Sequence, residues 1–79
     1  MQTFLITLSS PIAIRIPGGT KMVNTVEATL QQINAQELSL RVSRYFDAKA
    51  ETMWDVVPAA EVLVKFSNLR SKQLIGGGK

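Results

Sequence analysis

Ile12, Ile14 and Ile16 alternate with Ala13 and Arg15, and Leu38, Leu40 and Val42 alternate with Ser39 and Arg41. Side chains of an extended chain point to opposite faces in turn, so this period of two buries one face and leaves the other in water. Phe4-Leu5-Ile6-Thr7-Leu8 is also β-prone, and Val62, Val64 and Phe66 share one strand face with Lys65 on the other. Short strands, rather than helices, are therefore the expected building blocks.

Turn-forming residues separate these runs. Ser9-Ser10-Pro11 ends the first and Pro17-Gly18-Gly19 the second, so residues 4–8 and 12–16 are expected to be two strands. Asn34-Ala35-Gln36-Glu37 suits a hairpin turn, and Asp47-Ala48-Lys49-Ala50-Glu51 a polar hairpin tip. Thr52–Val57 reads as a strand stopped by Pro58, and Pro58-Ala59-Ala60-Glu61 as one helical turn with proline at its start.

Residues 22–34 support two readings. Val23, Val26, Leu30 and Ile33 recur at steps of three, four and three, with Asn24 and Glu27 placed as a capping box, which describes a helix. Val26, Ala28 and Leu30 also alternate with Glu27 and Thr29, which describes a strand, and Ile33 then requires a bulge near Gln31-Gln32. The β-branched Val23, Thr25, Val26 and Thr29 and the alternating run that follows favour the strand.

The resulting order, from Val26 to Phe66, resembles the small Sm-like or Src-homology-3-like barrel. A strand pair meets at Asn34–Gln36, another strand ends at Val57-Pro58, a tight turn follows, and Val62–Phe66 completes it. The resemblance implies an all-β fold of five or six short strands. The helical reading implies instead an α+β fold, a ubiquitin-like β-grasp with a helix at about 24–36, whose opening Met1-Gln2-Thr3-Phe4 is similar to that of ubiquitin. Residues 1–68 are expected to form one β-rich domain, and the basic, glycine-rich 69–79 a mobile tail.

The chain has 79 residues, which fits one domain close to the size limit for a self-sufficient core and makes oligomerisation attractive. It contains no cysteine and no histidine, which removes disulfides, thiolate metal sites and the commonest general base. Pro17-Gly18-Gly19-Thr20-Lys21 lacks the glycine spacing of a phosphate loop. Asp47, Glu51 and Asp55 lack the calcium-loop pattern, and no base is spaced to activate Ser39, Ser43, Thr7 or Lys65. No enzyme, metal or cofactor is expected. With no signal-peptide pattern and no membrane-length apolar run, a cytoplasmic protein is expected.

The formal charge is +3, and all of the excess lies beyond residue 40. Arg41, Ser43 and Tyr45 share one strand parity, and Arg15 and Lys65 face outward on theirs. Joined by Arg44 where the strand twists, and by Arg70 and Lys72, they would form a basic surface with one stacking aromatic. Trp54, the only tryptophan, is expected at the centre of the core. The first functional expectation is a non-enzymatic module acting through protein–protein contact and self-association. The alternative is a nucleic-acid-binding barrel using Arg41, Arg44, Tyr45, Lys65, Arg70 and Lys72.

Overall fold

The computed structural model describes residues 2–76. Its strands are β1 (Thr3–Ile16), β2 (Gly19–Gln32), β3 (Glu37–Asp47), β4 (Thr52–Lys65) and β5 (Leu69–Gly76), with one 3-10 turn, Phe66–Asn68, before β5. All pairings are antiparallel, in the order β4-β3-β2-β1-β5, and the sheet curls into a half-barrel. The fold is all-β, as the alternating runs and the barrel resemblance implied.

The helix at 24–36 is absent, and the β-grasp alternative falls with it. Thr7 pairs with Thr25 while Ile12 pairs with Val23, so the ladder is interrupted around Asn24. That irregularity puts Asn24 and Thr25 between two inward valines and produces the helix-like step of three. From Val26 the alternation is regular through Ala28 and Leu30, while Ile33 is exposed in the turn and needs no bulge at Gln31-Gln32.

Residues 4–8 and 12–16 belong to one bent strand rather than two. Leu8 pairs with Leu69 of β5, but Ser9, Ser10 and Pro11 have no partner in either ladder. Pro11 therefore sits where its missing N–H costs no ladder bond. The Asn68 side chain holds the bend, accepting from the Ser10 N–H at 2.7 Å and donating to the Ser10 carbonyl at 3.2 Å.

The expected turn at Pro58–Glu61 is also replaced. Val42 pairs with Ala60 and Arg44 with Asp55, so Val56–Ala59 loop out from β3 while β4 carries on to Lys65. Pro58 lies in this unpaired stretch. The helical turn comes later, at Phe66–Asn68, and Leu69–Gly76 pair with β1 as the last strand instead of forming a tail. Residues 77–79 of that expected tail lie outside the described residues.

The hairpin turns fall where expected. The Asn34 side-chain oxygen accepts from the N–H groups of Gln36 and Glu37 at 2.8 and 2.9 Å, an Asx turn that sets the β2–β3 register. Gly18 turns the β1–β2 hairpin with a φ of 94°, in the region that favours glycine.

The core contains Ile6, Leu8, Ile14, Val23, Val26, Ala28, Leu38, Leu40, Val42, Tyr45, Val56 and Val64. Eleven of the twelve are aliphatic. Each large side chain buried there contributes about 1.5–3 kcal/mol of transfer free energy, so the curled sheet is held mainly by its concave face.

Candidate interaction surfaces

The six residues expected to bind nucleic acid are divided by the β3 bulge and by the strand order. Glu27 pairs with Arg44 but Ala28 with Val42, which leaves Ser43 as the extra residue; its hydroxyl donates to the Glu27 carbonyl at 3.2 Å. The bulge switches parity. Arg44 therefore joins Arg41 on the convex face, and Tyr45 turns inward, 8% exposed, where its ring cannot meet a base. Sequence parity placed Tyr45 outside because it could not register an unpaired Ser43.

The convex face around Arg44 is a row of alternating charge. Arg44 meets Asp55 of β4 at 3.1 Å and Glu27 of β2 at 3.6 Å. Arg41 lies opposite Glu61, and Lys65 opposite Glu37. Arg70 and Lys72 are on β5, separated from β3 by β2 and β1, which is roughly 14 Å of sheet. The Lys72 ammonium stands 5.1 Å from the centroid of the Phe4 ring. The six residues thus do not form one basic surface with a free aromatic.

Trp54 is half exposed rather than central to the core. It sits beside Tyr45 on the β3–β4 hairpin, and its indole N–H donates to the Asp47 carboxylate at 3.2 Å. The other Asp47 oxygen caps the hairpin tip, accepting from the N–H of Lys49 at 3.0 Å and of Ala50 at 3.4 Å. Partial desolvation works against the charged carboxylate. The hydrogen bonds from Ala50 and Lys49, the Lys21 charge and the Trp54 N–H outweigh it and hold Asp47 below the ordinary carboxylate value. No group of three or more acidic side chains gathers into a metal-ligand cluster among the described residues.

Other large apolar side chains also face water. Met22, Val57 and Leu63 are 61%, 73% and 61% exposed, and Phe46, Phe66, Leu74 and Ile75 are also open. Met22 and Phe46 line one depression between the two hairpins at that end of the sheet. Ala13, the cross-strand neighbour of Met22, lines a second groove of about 650 Å³ between the end of β1 and the looped-out part of β4. Linked through the Ala13–Met22 pair, they form a strip of apolar side chains with Arg15, Lys21, Asp47, Lys49 and Glu61 among its lining residues. The sequence reading missed this strip. Pro58 inside an otherwise β-prone run was its one visible signal, since proline within a strand marks an edge or a bulge.

Both end strands of the sheet, β4 and β5, have one edge without a ladder partner among the described residues. Comparison with protein-family models, curated proteins and solved structures finds no match to the chain. No described helix is long and apolar enough to cross a membrane.

Proposed function

We propose that this protein is a small non-enzymatic binding module that acts through protein–protein contact and associates with itself in the cytoplasm. The observation that carries this reading is the imbalance between inside and outside. Twelve apolar residues fill the core, while nine large hydrophobic side chains are exposed on the same small barrel. Met22 and Phe46 share one depression and Val57 lines the neighbouring groove, and apolar side chains gathered at the surface are the usual mark of an interaction site. The unpaired edges of β4 and β5 add backbone donors and acceptors that a further strand can use.

The alternative, a nucleic-acid-binding barrel, draws less support from the same surface. Arg44 is already shared between two carboxylates and Tyr45 is inside the core. Sedimentation or light scattering across a concentration series tests the leading reading. A mass above the 8.7 kDa chain at micromolar concentration is expected, and a monomer at high concentration removes self-association. Assembly driven by apolar burial should also survive moderate salt, whereas nucleic-acid binding weakens steeply with it.

A further inference from the structure

The groove between the end of β1 and the looped-out part of β4 has a specific chemistry. Ala13, Pro17, Val57, Pro58 and Ala59 supply an apolar surface with small side chains, so the backbone of both strands lies close to the opening. Its two charged residues stand on opposite walls, Arg15 on β1 and Glu61 on β4. Neither belongs to an ion pair among the described residues, although Arg41 is the cross-strand neighbour of Glu61. One unpaired positive charge and one unpaired negative charge therefore flank an apolar centre.

This arrangement is self-complementary. A two-fold axis through the groove, midway between its walls, brings Arg15 of one copy over Glu61 of the other, and the reverse pair forms by the same rotation. Two-fold interfaces require this reciprocity, in which one patch meets itself and each contact occurs twice. The apolar centre with a charged border also matches the anatomy of protein interfaces. The molecule has 5378 Å² of surface, so an ordinary interface of about 800 Å² per partner would cover roughly 15% of it. The apolar strip continues from the groove through Ala13 to Met22 and Phe46, giving such an interface room to extend.

We propose that the occupant of this groove is a second copy of the same chain, docked about a two-fold axis with Val57 and Pro58 of each copy against the β1 wall of the other and reciprocal Arg15–Glu61 pairs at the border. The proposal rests on the self-association put forward above and adds which surface carries it and with what symmetry. The unpaired edge of β4 borders this groove, and only the edge of β5 lies outside the primary contact.

Charge reversal tests it. Arg15→Glu places two carboxylates against each other at both ends of the interface, and Glu61→Arg places two guanidinium groups there. Each variant alone is expected to raise the dimer dissociation constant at least tenfold in sedimentation velocity. An equimolar mixture is expected to recover a mass of twice the chain, because the mixed pair restores both contacts. The double variant Arg15→Glu/Glu61→Arg is expected to dimerise with itself for the same reason. Both positions are exposed, and circular dichroism verifies that each variant keeps its strand signal. As a second probe, Val57→Asp is expected to abolish the dimer without recovery on mixing.

A wild-type chain that remains monomeric overturns this proposal together with the self-association beneath it. A wild-type oligomer whose mass is unchanged by the reversals and by Val57→Asp overturns the groove alone. Oligomers weakened by either reversal but not restored on mixing overturn the two-fold arrangement.

Discussion

The guanidinium of Arg44 reaches across to the Asp55 carboxylate on the neighbouring strand at 3.1 Å. Its other carboxylate partner, Glu27, is on the opposite neighbour at 3.6 Å, so one arginine ties three adjacent strands on the convex face. The bulge at Ser43 makes this possible by bringing residue 44 outward.

Both partners of the Arg44–Asp55 pair are open to solvent, which limits the energy they can return. A double-mutant cycle with Arg44→Ala and Asp55→Ala is expected to give a coupling of about 0.2–1 kcal/mol in urea denaturation. That coupling should shrink as salt is raised. A value several times larger, unaffected by salt, would contradict the exposed geometry.

Tyr45 and Trp54 exchange the roles that their residue types suggest. Tyr45→Ala leaves a cavity in the core and is expected to cost about 3–5 kcal/mol, the range for a large aromatic removed from an interior. Trp54→Ala removes a half-exposed ring and is expected to cost clearly less, about 1 kcal/mol, the centre of the distribution for point variants. Chemical denaturation midpoints of the two variants give the comparison, and the opposite order would refute it.

Asn68 replaces missing ladder bonds at the β1 bend with two hydrogen bonds to Ser10. Asn68→Ala is expected to destabilise the fold by about 1–2 kcal/mol, since each bond contributes roughly 0.5–1.5 kcal/mol. Faster amide exchange should be confined to the neighbourhood of Ser10. Asn68→Asp keeps the acceptor and loses the donor, so it should fall between wild type and alanine.

Asp47 is held below the ordinary carboxylate value near 3.8, so its charged form is favoured by folding. The stability this contributes is fully present above that value and disappears as pH falls through the lower folded value. As pH falls through that lowered folded value the Trp54 indole should lose its charged acceptor, and the fluorescence of this single tryptophan should change. Asp47→Asn is expected to abolish that acid step. A transition of the same size and midpoint in the variant would assign it elsewhere.

Much of the fold was legible in local pattern. Ile12-Ile14-Ile16 and Leu38-Leu40-Val42 face the core or its margin on β1 and β3, and Asn34 sets a turn through its own side chain. These are properties of a few consecutive residues, so they survive without knowledge of the partner strand. The candidate site was much less legible. Arg41 was placed correctly on the outer face, but the acids that surround the arginines come from β2 and β4, and no spacing within β3 announces them.

Period-two patterning and turn chemistry in the sequence by themselves favoured an all-β chain over the helical alternative at 24–36 and determined where its three hairpin turns fall. The tertiary structure alone decided that Ser43 is the unpaired residue, that Tyr45 enters the core in place of Trp54, and that Leu69–Gly76 form a strand beside β1. Alternation is carried by neighbouring residues, and each run shows it independently. A bulge or the pairing of a terminal strand exists only relative to another strand, so it is settled by burial and hydrogen bonding between residues far apart in the chain.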